Sequence, residues 1–288
     1  MKKIGIIGGS GLYKMEGLTF VKEVHCETPF GSPSAPYSIF TLDGVDAELV
    51  FLPRHGIGHV LNPSEVPYQA NIYGMKTLGV EWIISVSAVG SLQEHIAPGH
   101  VVVIDQFIDR TKGRESTFFS CGVVAHISFG DPVCTALRQY LVEASKEAGA
   151  TTHDGGTYVC MEGPAFSTRA ESNLYRSWGA QVIGMTNVPE AKLAREAEIS
   201  YATLAMSTDY DCWHEGHDDV TVEDVIKVVK SNVKLSQSII KKAIPKIVAH
   251  EGPAPESNAL QYAFISDKSK IPAETKKALA PIIGKYFT

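Results

Sequence analysis

The chain has 288 residues, of which 44% are hydrophobic and 20% are charged, a composition that is typical of a folded globular protein and argues against intrinsic disorder. Its formal net charge of -6 argues against the basic surface that nonspecific nucleic-acid binding needs. No apolar run approaches the roughly 20 residues that span a bilayer. The five cysteines are scattered without CxxC spacing, which argues against a disulfide framework or a structural zinc site and favours the reducing cytoplasm.

In chain order, apolar runs alternate with amphipathic segments. The apolar runs predict strands at 3–7, 47–52, 82–89, 100–104, 157–160, 181–185 and 200–206. The amphipathic segments predict helices at 64–78, 131–148, 167–178 and 189–197, and a capping box at 221–224 begins a further long helix. This alternation predicts an α/β protein with a central sheet between helical layers. The Pro- and Gly-containing stretch 250–258 lies too near the C-terminus to separate two domains, so we expect one domain over 1–288, with about 250–288 packed on it as a tail.

The first strand ends in the glycine-rich stretch Gly8-Gly9-Ser10-Gly11. Glycines let backbone N–H groups approach an anion, and the Ser10 hydroxyl adds a further donor. The spacing matches neither a dinucleotide fingerprint nor a phosphate-binding P-loop, and a tight structural turn explains the same residues.

Arg54 and His55 directly follow the second predicted strand. Arg is the preferred side chain for a planar, bidentate grip on phosphate, and the adjacent His can donate a second hydrogen bond. The alternative is a surface Arg beside a loop His. Because α/β sheets place ligands at the carboxyl ends of their strands, we favour an anion site.

Two further strand ends carry small or polar residues. Ser87 and Ala88 lie in a stretch that can supply backbone and hydroxyl donors to an anion, although strand-end turns often have this composition. Met185 and Thr186 join another strand to a helix, where Met185 can pack on a sugar and Thr186 can donate to an anion. A core methionine followed by a helix cap is the alternative.

The segment 162–171 is a turn that leads into a helix, with Ser167 or Thr168 as the N-cap. Phe166 can stack on a flat heterocycle. It can equally act as a hydrophobic staple for the helix that follows.

Asp209 and Asp211 follow the last predicted strand. In extended backbone an i, i+2 pair points to one side, and two close carboxylates raise one pKa, which yields an acid that holds a proton near neutrality. An acidic loop or a divalent-cation site is the alternative. The nearby His214 and His217 do not have HExxH spacing, so we interpret them as exposed loop histidines and predict no metal site.

Together these motifs resemble those of the 5'-methylthioadenosine phosphorylases, which belong to the trimeric purine nucleoside phosphorylases. The resemblance covers about residues 3 to 245 and rests on segments taken in order: the early Gly-Gly-Ser-Gly-Leu, Arg-His-Gly at 54–56, Tyr-Gln-Ala-Asn at 68–71, Gly-Ser-Leu at 90–92, Ile-Asp-Gln-Phe-Ile-Asp-Arg at 104–110, 162–171, 185–190 and Thr-Asp-Tyr-Asp-Cys-Trp at 208–213.

The resemblance implies a three-layer α/β/α fold with a central mixed sheet and phosphorolysis of methylthioadenosine to adenine and 5-methylthioribose 1-phosphate. Phosphate would bind Ser10, Arg54, His55, Ser87, Ala88 and Thr186. Adenine and ribose would bind Phe166, Met185, Asp209 and Asp211, with Asp209 as the general acid. The methylthio group and its specificity would depend on Ser167, Val222, Val225 and His126, the last from a neighbouring subunit of a homotrimer or hexamer. The resemblance implies no metal or organic cofactor, and inorganic phosphate takes part as a co-substrate.

Other functions fit parts of the pattern. A 6-oxopurine nucleoside or methylthioinosine phosphorylase would share most motifs, whereas a nucleoside hydrolase has no reason to keep an anion site. A non-catalytic purine-binding protein is a different class of alternative. The sequence lacks the glycine spacing that a nicotinamide-dependent dehydrogenase requires.

Overall fold

The computed structural model describes the backbone of residues 1–214 and 222–287, and the side chains of all of these except residues 10 and 222–227. Eleven strands lie within the described ranges: β1 (Lys2–Gly8), β2 (Leu18–Val24), β3 (Tyr37–Leu42), β4 (Val45–Pro53), β5 (Trp82–Ser91), β6 (Val101–Val103), β7 (Gln106–Arg110), β8 (Thr152–Asp154), β9 (Thr157–Met161), β10 (Val182–Gly184) and β11 (Ser200–Asp209). The α-helices of the same ranges are α1 (Tyr68–Thr77), α2 (Thr135–Glu147), α3 (Arg169–Ser177), α4 (Asn187–Glu196), α5 (Val222–Val248), α6 (Ala273–Ala278) and α7 (Ala280–Ile283). Short 3₁₀ turns occupy Ser10–Lys14, Lys268–Lys270 and Gly284–Tyr286.

The strands form one mixed sheet that divides at β5. Strand β5 pairs parallel with β1 on one side and with β11 on the other. Its last residues, Gly90 and Ser91, pair antiparallel with β10. One arm of the sheet continues through β9 and β7, and the other continues from β11 through β6 to β8. The carboxyl end of β5 therefore lies where the sheet divides, which is where α/β sheets usually bind ligands.

Helices cover both faces of the sheet. On one face, α2 and α5 enclose a core that contains Trp82, Leu137 and Ile240. On the other face, α1, α4 and α7 enclose a second core that contains Ile72 and Leu193. The predicted three-layer α/β/α fold with a mixed sheet is thus confirmed.

The seven strands predicted from apolar runs are all present, and β2, β3, β7 and β8 were missed. Strand β2 lies at the sheet edge with most of its side chains exposed, so it has no apolar run to detect. Strand β8 has three residues, and β7 reads Gln-Phe-Ile-Asp-Arg, with polar residues at both ends. Short or solvent-facing strands depend on pairing with a neighbour rather than on their own hydrophobicity.

The helix starts depend on local capping and on proline. Helix α1 begins at Tyr68 instead of residue 64 because Pro67 occupies its N-cap. In α3, Thr168 is the N-cap and forms a capping box with Glu171, so of the two predicted caps Thr168 is the correct one. Helix α5 is present as predicted, but the capping box proposed at 221–224 lies outside the described residues.

The C-terminal residues pack on the face that carries α1. Leu260, Ile271 and Ile282 are buried in the second core. The hydroxyl of Tyr73 in α1 donates to the carbonyl of Ala278 at 2.7 Å. Within the described ranges, no helix has the length and apolar character needed to cross a membrane.

Candidate active site

One cavity of about 420 Å³ lies at the point where the sheet divides. Its walls come from the carboxyl ends of β1, β4, β5, β10 and β11, with α5 along one side. Most of the residues predicted from separate motifs line this single cavity: Arg54, His55, Ser87, Ala88, Phe166, Met185, Thr186, Asp209 and Asp211. The volume is within the range typical of small-molecule sites.

Small polar groups gather at part of the cavity wall. Gly9, Ser87 and Ala88 line it from the ends of β1 and β5. Thr186 is buried at the N-cap of α4. Its side chain makes no capping hydrogen bond to the first turn of that helix. A helix N-terminus carries partial positive charge and suits an anion.

Arg54 lies in this wall but its guanidinium is largely engaged within the protein. Nε and Nη2 donate to the two carboxylate oxygens of Glu190 at 2.7 and 2.9 Å. Nη2 also donates to Ser85 Oγ at 2.6 Å, and Nη1 donates to the carbonyl of Val86 at 3.1 Å. The predicted bidentate grip on phosphate is therefore wrong in its geometry, since the forked side of the guanidinium binds Glu190. One N–H of Nη1 is left for an anion.

His55 also differs from the prediction in its hydrogen bonding. Its Nδ1 lies 2.9 Å from the carbonyl of Leu61, so Nδ1 carries the proton. Burial, with the neighbouring Arg54 charge, lowers the pKa of His55 to about 4. The ring is therefore neutral near pH 7, and Nε2 can only accept a hydrogen bond, whereas the sequence predicts a donor. A protonated oxygen of phosphate could donate this hydrogen bond to Nε2.

A buried polar network behind the cavity fixes Glu190. Its Oε1 accepts hydrogen bonds from Ser85 Oγ at 2.7 Å and from the Tyr201 hydroxyl at 2.8 Å, in addition to Arg54. Asn187 Nδ2 lies within 3.0 Å of the hydroxyl oxygens of Ser85, Tyr201 and Thr203, which share its two N–H groups. Glu190 is 1% exposed. A buried ion pair whose remaining lone pairs are satisfied holds its members in one geometry.

Asp209 and Asp211 both line the cavity, but not as an extended pair. Asp211 has φ 53°, and its backbone N–H donates to Asp209 Oδ1 at 2.8 Å. The chain therefore turns between the two carboxyl groups, which corrects the expectation of extended backbone. One oxygen of Asp211, Oδ2, is buried.

Burial is the main reason that the pKa values of these two carboxyl groups are raised. It raises the pKa of Asp209 above its usual range, although the Thr208 hydroxyl and the Asp211 N–H lower it. Burial also raises the pKa of Asp211 to about 6, and the charge of Asp209 adds a smaller increase. The predicted mutual repulsion is present at Asp211, but desolvation is the larger cause at both residues.

Phe166 lies on the cavity wall with 53% of its surface exposed. It precedes Ser167, which is the residue before the N-cap of α3, so it does not occupy the staple position. The turn that carries it is held by Arg114, which is bound to the carboxylate and carbonyl of Glu162 and to the carbonyl of Met185. Arg114 thus joins the Phe166 turn to the strand end that carries Met185.

Several predicted site residues lie elsewhere or outside the described part. Ser167 Oγ donates to Met161 Sδ at 3.4 Å, and Ser167 does not line the described cavity. His126 is exposed, with its backbone N–H bound to the carbonyl of Ala263, and it too is absent from the described lining of its own chain's cavity. The side chains of Ser10, Val222 and Val225 lie outside the described residues.

The histidines after the last strand do not form a metal site in the described residues. His214 stacks on Tyr210 with ring centroids 4.5 Å apart, and its Nε2 lies 3.0 Å from Glu94 Oε1. It is thus half-buried rather than an exposed loop histidine, while His217 lies outside the described residues. No group of three or more His, Cys, Asp or Glu in the described ranges could hold a metal ion.

The sequence patterns do not reveal the contribution of α5 and of the buried charges to the cavity. Val229, Asn232, Val233 and Ser236 line the cavity at helical spacing. Their pattern identifies a helix face, but not what that face covers. Glu190 and Arg114 each bind a residue more than 45 positions away in the chain, in the pairs Arg54–Glu190 and Arg114–Glu162. Local sequence patterns do not indicate such pairs.

Comparison with known proteins shows the family to which the chain belongs. A family model described as the phosphorylase superfamily matches residues 3–245. The chain is 63% identical to the S-methyl-5'-thioadenosine phosphorylase of Geobacter sulfurreducens over 98% of both chains, and 57% identical to that of Thermosynechococcus vestitus over 99% of both. It belongs to the S-methyl-5'-thioadenosine phosphorylase family.

Solved structures of this family have the same fold. A methylthioadenosine phosphorylase from an Antarctic soil metagenomic library superposes with a TM-score of 0.93 at 49% identity, covering 98% of each chain. A variant of the adenosine/methylthioadenosine phosphorylase of Schistosoma mansoni, in complex with methylthioadenosine, superposes with a TM-score of 0.81 at 34% identity, covering 99% of this chain and 98% of that one. The family is therefore one of phosphorylases, enzymes of the pentosyltransferase class.

Proposed function

We propose that this protein cleaves S-methyl-5'-thioadenosine with inorganic phosphate, which yields adenine and 5-methylthioribose 1-phosphate. The observation that carries the proposal is the single cavity that combines an anion-binding wall around Thr186 and Arg54 with two buried carboxyl groups, Asp209 and Asp211. The relatives' names point to the same reaction.

The two parts of the cavity suit the two charges of the reaction. As the C1'–N9 bond breaks, its electron pair goes to the purine and positive charge develops on the sugar. Phosphate stabilises that positive charge and forms the new C1'–O bond, while protonated Asp209 donates its proton to N7 of the departing adenine. The raised pKa of Asp209 supports this role, because the residue must begin the reaction with a proton.

The remaining contacts follow from position in the cavity. Phe166 would stack on adenine, Met185 would pack on the ribose, and Asp209 and Asp211 would both read the N6 amine. Ser10, Val222 and Val225 keep the roles implied by family resemblance, namely phosphate binding for Ser10 and the methylthio pocket for the two valines. The α5 residues Val229 and Val233 contribute apolar surface to the cavity wall.

The wider proposals concern cofactor, assembly and compartment. We propose a cytoplasmic enzyme of one domain over 1–288 that needs no metal or organic cofactor. We also propose a homotrimer or hexamer in which His126, exposed in its own chain, closes the cavity of a neighbour. Full activity in a sample shown by light scattering to be monomeric at the assay concentration would overturn this assembly.

A substrate panel tests the reaction. Methylthioadenosine, adenosine, methylthioinosine and inosine are each incubated with the protein, with and without phosphate, and free base is measured by chromatography. We expect adenine release from methylthioadenosine that requires phosphate. Preference for a 6-oxopurine would indicate the related inosine-type activity, and binding without turnover would indicate a purine-binding protein.

A further inference from the structure

Thr208 stands at an irregularity of β11 beside the proposed general acid. In the pairing with β5, Ser207 faces Val89 and Asp209 faces Gly90, so Thr208 is an extra residue on β11. Such a bulge re-aims side chains that would otherwise alternate between the two faces of a sheet. Here it lets consecutive residues, Thr208 and Asp209, both line the cavity.

The Thr208 hydroxyl has two acceptors but only one proton. Its Oγ1 lies 2.6 Å from Asp209 Oδ2 and 3.1 Å from the carbonyl oxygen of Val89. A hydroxyl donates one hydrogen bond at a time and can accept others. Thr208 is 5% exposed, so water has little access to replace either partner.

We propose that Thr208 is a positioning residue whose hydroxyl follows the proton on Asp209. When Asp209 is ionised, Thr208 donates to Oδ2. When Asp209 is protonated on Oδ2, the hydroxyl accepts that proton's hydrogen bond and donates to the Val89 carbonyl instead. Both protonation states of the acid thus keep a hydrogen-bond partner without a change in side-chain position.

The consequence for catalysis rests on the proposed function. In each turnover the Asp209 proton leaves its hydrogen bond to Thr208 and passes to N7 of the leaving adenine, and Asp209 becomes a carboxylate that later regains a proton from solvent. A hydrogen bond to an ionised carboxylate is about twice as strong as one to a neutral group. Thr208 therefore stabilises the state that proton transfer creates more than the state before it.

Other titratable groups share the cavity and must be separated from this effect. Among the described residues they are Asp211 on the following turn, Arg54 and His55 at the end of β4, and His59 beyond it. The Asp211 backbone N–H binds Asp209 Oδ1, on the other side of the carboxyl group from Thr208. A change at the Thr208 hydroxyl leaves all four of these groups in place.

The test compares Thr208→Val, which removes the hydroxyl with little change in shape, with Thr208→Ser, which keeps it. The protein is labelled with aspartate carrying carbon-13 in the carboxyl group, and the Asp209 signal is assigned with Asp209→Asn. We expect the pKa of Asp209 to rise by about one unit in Thr208→Val and to stay near the parental value in Thr208→Ser.

Steady-state kinetics supply the second readout. For methylthioadenosine, we expect kcat of Thr208→Val to fall about tenfold because its acid is weaker, while the alkaline limb of the pH profile moves upward. We expect KM for phosphate to stay within about twofold, and we expect Thr208→Ser to restore the parental profile.

Several results would overturn the inference. One is an unchanged Asp209 titration in Thr208→Val, and another is an equal loss of activity in the Val and Ser variants. If Thr208→Val does not fold, as judged by its melting temperature, Thr208→Ala provides a smaller hydroxyl-free variant for the same comparison. Failure of the parent to release adenine would contradict the proposed function instead, and the Asp209 titration would still test the link to Thr208.

Discussion

Arg54 and Glu190 form a buried pair within the proposed anion-binding wall. Glu190 takes the forked side of the guanidinium, and Ser85 and the Val86 carbonyl take two further N–H groups. The guanidinium therefore cannot turn to follow a ligand. Its remaining N–H is held in a fixed direction, which is the kind of preorganisation that binding and catalysis require.

Replacing Glu190 tests this arrangement. In Glu190→Gln an amide N–H would face the Arg54 guanidinium, and the charge-assisted bond, worth about 1.5–3 kcal/mol, would be lost. We expect kcat/KM for phosphate to fall at least about tenfold while KM for methylthioadenosine stays within about twofold. Glu143→Gln, which removes an exposed partner of Lys246, is the matched control and should leave both constants unchanged. Parental phosphate kinetics in a folded Glu190→Gln protein would contradict the role of the pair.

Asp209 should decide between 6-amino and 6-oxo purines. A carboxyl group can accept from the N6 amine of adenine and, when protonated, donate to N7, whereas a 6-oxo purine presents an acceptor in place of the amine. We expect Asp209→Asn to lower kcat/KM for methylthioadenosine by about 100-fold or more and to raise the relative efficiency for methylthioinosine. The ratio of the two kcat/KM values is the measurement, and Asp211→Asn is the companion variant. An unchanged ratio in Asp209→Asn would assign base recognition to another residue.

At the scale of elements, the end of β5 and the bulge of β11 shape the purine side of the cavity. A Cβ atom at Gly90 would lie 2.9 Å from Asp209 Oδ1 and 3.2 Å from Ile183 Cγ2. Gly90 is thus required by close approach, since the acid of β11 and the side chain of β10 both meet the backbone of β5 there.

Gly90→Ala should therefore impair the site more than the fold. We expect a fall in kcat of about tenfold or more, because a misplaced acid loses its alignment with the base. Gly130→Ala is the control, because a Cβ there meets no atom within 4 Å. Comparable melting temperatures with a selective loss in Gly90→Ala would support this interpretation, while equal activities of the two variants would refute it.

Helix α4 joins the site to a distant loop. Thr186 stands at its N-cap and Glu190 in its first turn, while Glu196 at its last turn accepts from Thr117 Oγ1 at 2.7 Å and from the Phe118 backbone N–H at 2.6 Å. Burial raises the pKa of Glu196 to about 7. The folded protein thus binds a proton on Glu196 that the unfolded chain releases near its ordinary pKa.

This difference makes stability depend on pH. Because the folded-state pKa is the higher one, the contribution of Glu196 is fully present at acidic pH below the unfolded pKa and is lost as pH rises through about 7. We expect the free energy of unfolding, measured with urea, to fall by about 2–3 kcal/mol between pH 5 and 8 on account of this group. In Glu196→Gln the amide oxygen can accept from the Phe118 N–H while the amide N–H donates to Thr117 Oγ1, so the variant should flatten that dependence. An equally steep dependence in Glu196→Gln would assign it to other groups.

At the scale of the whole molecule, sequence patterns predicted the parts of the site that are local. The strand ends that carry Arg54, Ser87, Thr186 and Asp209 are each marked by an apolar run that stops at polar or small residues, and the fold brings them to one cavity. The layers also followed from the alternation of elements.

What the patterns could not predict are relations between distant segments. The binding of Arg54 to Glu190 spans 136 residues, and it changes the role of the guanidinium from a bidentate ligand to a held donor. The tautomer of His55 depends on the carbonyl of Leu61 across a turn. Strand β2 has most of its side chains exposed and is defined by its pairing with β3.

In the proposed reaction phosphate itself becomes bonded to the sugar as adenine leaves, and phosphorus-31 NMR observes this directly. The protein is mixed with methylthioadenosine and inorganic phosphate, and the phosphate and sugar-phosphate signals are followed while adenine is measured by absorbance. We expect a sugar 1-phosphate signal that grows in a one-to-one ratio with free adenine, and no adenine when phosphate is left out. Adenine release with an unchanged phosphate signal would contradict the proposed reaction, because water would then be the nucleophile.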